Sequence, residues 1–76
     1  MPKTRTLGSR LRALRESKGL RLADVAPHAL TDAGSISRIE RDIRDPSLAQ
    51  LRAFATLYGV RLPSLLEGLN GHGRAA

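Results

Sequence analysis

Glycine and proline divide the chain into short segments, and this division most limits the folds that are open to it. Within each segment the apolar residues recur at helical spacing, as Leu7, Leu11 and Leu14 do in the first. Gly19 and Gly59 each follow such a segment, where a left-handed helix C-cap is expected. No segment has the alternating pattern of a strand. The sequence therefore predicts an all-α protein built from short helices.

The helical spacing predicts five helices with a segment on either side. The helices are expected at Leu7–Lys18, within Leu20–Ala29, at Ala33–Asp42, at Leu48–Tyr58 and from Pro63 until the chain frays by Leu69. Pro27 lacks an N–H and disfavours helical geometry at the residue before it, so the second helix should be short or kinked. Residues 7–69 form the predicted domain, between a flexible arm at residues 1–6 and a disordered tail at residues 70–76.

The charge of the chain favours a nucleic-acid partner. Its 76 residues make one small domain with a net charge of +6 and a pI of about 11.4. A pI above about 9 in one domain is typical of nucleic-acid binding. Eleven of the 13 basic residues are arginine, whose guanidinium suits phosphates and guanine edges. Composition alone is explained equally well by a solvated basic surface.

Several other classes of protein are excluded or disfavoured. The absence of cysteine excludes disulfides and thiolate metal sites, and His28 and His72 have no companions at metal-ligand spacing. No run approaches the roughly 18 apolar residues of a membrane span, and the N-terminus lacks a signal-peptide core. No carboxylate pair, Ser/His/Asp set or phosphate-cradling loop is present, so we expect no enzyme. The expectation is a soluble, cytoplasmic protein without metal, cofactor or membrane partner.

The segment from Asp32 to Pro46 predicts a helix with two different sides. Asp32 is a suitable N-cap. The apolar residues form one stripe at helical spacing, which consists of Ile36, Ile39 and Ile43. At about 100° per residue, Arg38 and Arg41 fall on the opposite side. This helix is therefore expected to be apolar towards its own domain and cationic towards solvent, where it suits a groove of DNA.

Several short motifs also follow one another in a distinctive order and spacing. They are Leu7-Gly8, Arg15, Lys18-Gly19-Leu20, Ala26, Ile36-Ser37-Arg38-Ile39-Glu40-Arg41, Pro46-Ser47-Leu48, Leu51, Leu57 and Gly59-Val60. Together they resemble the lambda-repressor-like (xenobiotic-response-element-type) helix-turn-helix regulators. The resemblance implies a compact five-helix fold in which helices two and three read DNA. It implies a sequence-specific transcriptional regulator, most simply a repressor, that binds palindromic operator half-sites of double-stranded DNA as a homodimer.

The resemblance, with the side each residue faces, assigns candidate DNA contacts. The base-reading candidates are Ala33, Gly34, Ser35, Ser37 and Arg38. The phosphate candidates are Arg41, Arg44, Ser47, Leu22 and Asp32. Ser47 and Asp32 mark helix N-termini, whose N–H groups suit a phosphate, and Leu22 lies where the family usually has a polar residue that touches one. Leu22, Leu30, Ala33 and Gly34 depart from the family's usual residues, so direct base reading falls to fewer side chains. Arg38 as a solvated helix charge, and Ser37 bonded to its own helix backbone, are the alternatives.

Two further predictions concern structure and assembly. Glu40 falls near the isoleucine side of its helix, and a buried carboxylate needs a cation. Arg15 matches the family position that supplies it, so a structural Arg15–Glu40 ion pair is expected. The apolar residues of helix five, Leu65, Leu66 and Leu69, exceed what a small core needs and predict a dimer interface.

A second function remains open from the sequence. The same fold serves as a protein-interaction module in antitoxin-like or adaptor proteins, with weak or no specific DNA binding. Ala33 and Gly34 favour this reading, because they offer little to a base edge, whereas the cationic face of helix three opposes it. A protein co-regulator is a further candidate partner of a DNA-binding regulator.

Overall fold

Five α-helices and one 3₁₀ turn follow one another in a computed structural model that describes residues 6–67. They are α1 (Leu7–Ser17), α2 (Leu22–Val25), the 3₁₀ turn Ala26–His28, α3 (Ala33–Glu40), α4 (Leu48–Tyr58) and α5 (Leu62–Leu66). No strand occurs between residues 6 and 67. The all-α, five-helix prediction is confirmed. The predictions for residues 1–5, Leu69 and residues 70–76 lie outside the described residues.

The first helix begins at Leu7 as predicted, with Thr6 as its N-cap, and ends at Ser17, one residue before its predicted end. The Thr6 hydroxyl accepts the Ser9 N–H at 3.1 Å, and the Ser9 hydroxyl accepts the Thr6 N–H at 3.2 Å. This reciprocal capping satisfies two N–H groups that a helix start leaves unpaired. Thr6 therefore belongs to the folded domain, and its assignment to the flexible arm was wrong. At the other end Gly19 has φ of 70°, as the predicted left-handed cap requires.

Pro27 shortens the second helix, one of the two outcomes that were predicted. The α-helix ends at Val25, and Pro27 lies in the 3₁₀ turn that follows. Arg21 holds the N-cap position without an oxygen to offer, and the Asp24 carboxylate accepts the Arg21 N–H at 2.8 Å instead. Leu30 then turns the chain towards α3 with φ of 62°, a left-handed conformation that is uncommon outside glycine.

The third helix ends two residues before its predicted end, at Glu40 rather than Asp42. Asp42 is left-handed with φ of 62°, and its N–H donates to the Ile39 carbonyl at 3.0 Å. The Ile43 N–H donates to the Arg38 carbonyl at 2.9 Å, which completes a Schellman-type helix end. This reversal carries Ile43 off the apolar stripe and leaves it 63% exposed. The prediction that Ile43 continues the stripe was wrong.

The core lies between the helices and takes residues from α1 to α5. Its buried apolar residues are Leu11, Val25, Ala29, Ile36, Ile39, Phe54, Ala55, Tyr58 and Leu65. The long α4 supplies three of them, and its Phe54 and Tyr58 rings stack with centroids 6.0 Å apart. Burial of these residues stabilises the fold by about 25 cal/mol for each Å² of apolar surface removed from water. The core therefore fixes α3 in place through Ile36 and Ile39.

The start of α1 touches the end of α3 so closely that Gly8 is required there. A Cβ on Gly8 would lie 2.5 Å from the Ile39 carbonyl oxygen and 2.6 Å from that of Glu40. The Asp42 carboxylate accepts the Gly8 N–H at 3.0 Å through Oδ1 and the Thr6 hydroxyl at 2.7 Å through Oδ2. A carboxylate is stabilised near a helix N-terminus. One side chain after α3 thus completes the N-terminus of α1.

Candidate nucleic-acid interface

Helix α3 presents one side to the core and the other to solvent. Its inward residues are Ser35, Ile36, Ile39 and Glu40, all buried. Its outward residues include Gly34 and Arg38, and Arg41 follows as the exposed C-cap. The helix begins where the Asp32 carboxylate accepts the Ser35 N–H at 2.7 Å. The outward face is therefore short, fixed at its start and cationic in its second half.

The base-reading candidates divide into those that reach solvent and one that does not. Gly34 and Arg38 are exposed, and Ala33 and Ser37 are partly exposed. Ser35 is only 6% exposed, which contradicts its predicted contact with a base. The reason is helical spacing, since Ser35 lies one turn before Ile39 and shares its inward side.

Asp32, Gly34 and Arg38 lie together at the start of the outward face. The point where a Cβ on Gly34 would stand is 3.6 Å from Asp32 Oδ1 and 3.8 Å from Arg38 Nη2. The Arg38 side chain thus reaches back over Gly34 towards the N-terminus, the usual direction of long helical side chains. The missing side chain of Gly34 leaves a gap between a carboxylate and a guanidinium.

The Asp32 side chain is unsuited to the phosphate contact that was predicted near it. The pKa of Asp32 lies below its usual value, chiefly because the Ser35 N–H donates to the carboxylate, with the Ser35 side chain and the charges of Arg38 and Arg44 adding to the effect. The carboxylate is therefore ionised at neutral pH and repels a phosphate. It also occupies the Ser35 N–H, one of the donors that a bound phosphate would need.

The remaining phosphate candidates differ in what they offer. Arg41 and Arg44 are exposed, although Arg41 Nε also donates to the Ser37 carbonyl at 3.3 Å. Ser47 is the exposed N-cap of α4, and its hydroxyl accepts the Gln50 N–H at 3.0 Å. The Leu22 side chain packs against the core, which contradicts a side-chain contact with phosphate and leaves only its backbone for that role. Arg41 and Arg44 are thus the cations beside the outward face.

A buried ion pair holds α3 against α1. Arg15 Nε donates to Glu40 Oε2 at 2.8 Å, and Arg15 Nη2 donates to Glu40 Oε1 at 3.0 Å. The two side chains are 13% and 5% exposed. The hydrogen bonds that Arg15 donates to Glu40 raise the pKa of Arg15 above its usual value, with burial opposing and the charge of Glu40 adding to the effect. The predicted pair is present, and Arg15 Nη1 also donates to the Leu20 carbonyl at 2.9 Å, which joins the segment before α2.

Helix α5 is fixed by a contact that sequence reasoning missed. Arg10 Nη1 donates to the carbonyls of Ser64, Leu65 and Glu67 at 3.1, 3.2 and 2.6 Å. A cation near the last carbonyls of a helix stabilises its C-terminus. The available signal was an arginine beside the apolar stripe of α1, but the sequence does not show which carbonyls it meets.

The predicted dimer residues do not share one surface. Leu65 is 0% exposed and belongs to the core, so its assignment to a dimer interface was wrong. Helix α5 needs that residue inward because its five residues contribute no other buried side chain. Leu66 is 44% exposed. Separately, none of the described helices is long and apolar enough to cross a membrane.

Comparison with known proteins shows which family the chain is similar to. A family model described as a helix-turn-helix domain matches residues 6–69. The chain is 42% identical over 67 residues to the HTH-type transcriptional regulator DdrOP3 of Deinococcus deserti, a match that covers 88% of this chain and 52% of the relative. The chain therefore spans about half the length of that relative.

Two solved structures are also similar. The P22 c2 repressor in complex with a synthetic operator is 27% identical, with a TM-score of 0.77 over 83% of this chain and 96% of the repressor chain. A chain of the SinR–SinI protein complex is 28% identical, with a TM-score of 0.74 over 82% of this chain and 61% of that one.

Proposed function

Because the chain belongs to the family of helix-turn-helix domains, we propose that it is a DNA-binding transcriptional regulator of the cytoplasm, most simply a repressor. It reads the major groove with α3 and binds operator half-sites as a homodimer. The observation that carries this proposal is the two-sided α3. Ile36 and Ile39 fix one side in the core, while Arg38, Arg41 and Arg44 remain exposed on or just after the other.

The charge of the chain supports a duplex as the partner. The net charge is +6, and exposed arginines beside a groove-sized helix attract phosphates without regard to sequence. The P22 c2 repressor, with which this chain shares its fold, binds a synthetic operator. The function is one of binding rather than catalysis.

Leu66 supports the dimeric part of the proposal. It is the exposed apolar residue of α5, and Arg10 holds the carbonyls on either side of it in place. A fixed apolar residue is suited to a two-fold contact with a second copy. Leu66→Glu should therefore give a folded monomer with weaker operator binding, measured by sedimentation and by titration of duplex DNA. A monomer at high micromolar concentration for the wild-type protein, with and without DNA, would remove this part of the proposal.

A protein-interaction module is the second candidate function. The similar structure that contains SinR is a complex of two proteins, SinR and SinI. On this chain three large apolar residues are exposed in the segments before and after α3, namely Leu30, Ile43 and Leu48. They are suited to a protein partner, whereas Arg38, Arg41 and Arg44 are suited to DNA.

Binding to DNA separates the two candidates. The protein is mixed with a random duplex pool, bound duplexes are recovered, and affinity is measured for a recovered and a scrambled duplex at several salt concentrations. A groove binder enriches a sequence motif, and its affinity falls steeply with salt, with a slope of about −0.9 for each phosphate neutralised. Arg41→Ala should lower that slope, while Arg52→Ala, which removes the same charge from α4, is the matched control. If no sequence motif is enriched and no salt-dependent binding to DNA is measured, the protein-interaction module is favoured.

A further inference from the structure

Asp32 and Arg38 present opposite hydrogen-bonding groups side by side on the outward face of α3. Both lie within 4 Å of the point where a Cβ on Gly34 would stand. They are nevertheless not an ion pair, since the four ion pairs among residues 6–67 involve other residues. Oδ1 of Asp32 accepts the Ser35 N–H, but a carboxylate has about four acceptor positions. An acceptor and a donor therefore both remain available across the gap above Gly34.

The chemistry of this pair matches two particular base edges. In the major groove, guanine shows the acceptors O6 and N7, which arginine contacts most often, and cytosine shows the N4 amino donor, which a carboxylate accepts. Adenine suits Arg38 less well, because it offers a donor where guanine offers O6. Thymine does not suit Asp32, because it offers an acceptor and a methyl group, which a carboxylate does not bind. A phosphate suits Arg38 but not the ionised Asp32 beside it.

We propose that Asp32 and Arg38 together read adjoining guanine and cytosine edges in the operator, with the gap at Gly34 admitting the bases between them. The inference rests on the proposed DNA-binding function and adds an acidic specificity residue to it. Arg38 donates to guanine O6 and N7, and Asp32 accepts from cytosine N4. Where another base places an acceptor or a methyl group at that point, the ionised Asp32 carboxylate is left unpaired, which lowers affinity for DNA that lacks the cytosine and sharpens discrimination.

The test uses base analogues that alter one groove atom at a time. The full chain is first used to select duplexes from a random pool, and the enriched motif is then made with 7-deazaguanine or with N4-methylcytosine. The first analogue removes the N7 acceptor, and the second places a methyl group on the amino donor. Each should weaken wild-type binding by about tenfold, within the range of a single base contact.

Two substitutions separate reading from positioning. Asp32→Ser keeps a good N-cap, so α3 remains folded, but its shorter hydroxyl lacks the reach of the carboxylate. With Asp32→Ser the N4-methylcytosine penalty should disappear, whereas the 7-deazaguanine penalty remains about tenfold. Arg38→Ala should give the converse result. If Asp32→Ser removes both penalties, Asp32 only positions Arg38, and if it removes neither, Asp32 does not contact the bases; both results overturn the proposal.

Gly34→Ala tests the gap itself. The new Cβ would make contacts of 3.6 Å or more, which the fold accommodates, and alanine favours a helix over glycine. The variant should therefore unfold at a higher temperature than wild type and yet bind the selected duplex at least fivefold more weakly. Equal or tighter binding would show that no base enters the gap.

The result also distinguishes this inference from the function on which it rests. Enrichment of a motif without an adjoining guanine and cytosine overturns the inference and leaves DNA binding intact. Failure to enrich any motif, with no salt-dependent binding, overturns both.

Discussion

Leu30 and Asp42 share the same left-handed backbone conformation, each with φ of 62°, but the Asp42 side chain is bonded to α1 while Leu30 is exposed. A left-handed conformation costs an L-residue roughly 1–2 kcal/mol. At Asp42 the two hydrogen bonds to Thr6 and Gly8 offset that cost. Leu30 is 64% exposed, so its side chain offsets little of it.

Glycine at these two positions should therefore have opposite effects. Leu30→Gly relieves the strained backbone and should raise the free energy of unfolding by about 0.5–1 kcal/mol, which is less than the full strain because the greater entropy of glycine in the unfolded chain opposes the gain. Asp42→Gly gives the same relief but removes the bonds to Thr6 and Gly8, so the free energy of unfolding should fall by about 1–2 kcal/mol. Urea unfolding measures both. A shift of the same sign for the two variants would contradict the assignment of the offset to the Asp42 side chain.

The helix junction at Gly8 gives a second prediction. Gly8→Ala places a Cβ 2.5 Å from the Ile39 carbonyl oxygen, so α1 and α3 must separate. The expected loss is about 1–3 kcal/mol in the free energy of unfolding, larger than the gain of about 1 kcal/mol from helix propensity. Thermal unfolding followed by circular dichroism measures it. A Gly8→Ala protein as stable as wild type would mean that the two helices are not in this contact.

The third prediction concerns the Arg15–Glu40 pair. Removal of either partner leaves a buried charge unpaired, so Arg15→Ala or Glu40→Ala should each cost about 3–5 kcal/mol. A double-mutant cycle should give a coupling of about 1–3 kcal/mol. The control cycle uses Arg12 and Glu16, an exposed pair 3.1 Å apart, for which about 0.3–0.5 kcal/mol is expected. Equal couplings in the two cycles would contradict the structural role of the buried pair.

Because of Tyr58, the free energy of unfolding depends on pH in the alkaline range. Burial raises the pKa of Tyr58 to about 12, with the charge of Glu40 adding and that of Arg15 opposing. The unfolded chain ionises near pH 10 and so loses this proton first, which means that the free energy of unfolding falls as pH rises from about 10 to about 12. The fall should be roughly 2–3 kcal/mol, because each pKa unit corresponds to about 1.4 kcal/mol.

Tyr58→Phe tests this directly. Its hydroxyl is buried and has no hydrogen-bond partner among residues 6–67, so the variant should stay within about 1 kcal/mol of wild type at pH 7. Between pH 10 and pH 12 the variant should become the more stable protein. The measurement is urea unfolding at both pH values, where an identical alkaline loss in the two proteins would assign the effect to other groups.

The fifth prediction separates two arginines beside the outward face. Arg38 lies within α3, so Arg38→Ala should cost about 1–3 kcal/mol on the selected operator and flatten the preference at one base pair. Arg44 follows the helix, so Arg44→Ala should weaken binding to all duplexes alike and lower the salt slope by about one. Competition binding with operator and scrambled duplex at two salt concentrations measures both. If Arg38→Ala leaves the operator-to-scrambled ratio unchanged, specificity comes from DNA shape or another segment.

Local signals were enough to predict α4 at both ends. Ser47 provides a capping hydroxyl, and Gly59 provides the left-handed residue that closes the helix. Both act within a few residues, so the sequence contains them. The end of α3 depends instead on Asp42, whose left-handed conformation is supported by Thr6 and Gly8, more than 30 residues earlier in the chain. Ile43 was misplaced for that reason.

The sequence predicted which side of α3 faces solvent, but not how the side chains on that side are arranged. Helical spacing placed Arg38 outward, but it did not show that the guanidinium lies over Gly34 beside Asp32. Ser35 and Leu65 were misassigned because residue type alone does not distinguish an interior position from an interface. Both distinctions depend on how the helices pack, which the sequence pattern does not contain.

Asp42 belongs to two helix ends at once, and this limits how α3 can vary. A longer or shorter α3 would carry the carboxylate away from Gly8 and leave the start of α1 incomplete. A change of side chain on the outward face leaves that connection untouched. The outward side chains from Asp32 to Arg38 can therefore be exchanged without disturbing the fold, whereas the number of residues between Asp32 and Asp42 is fixed.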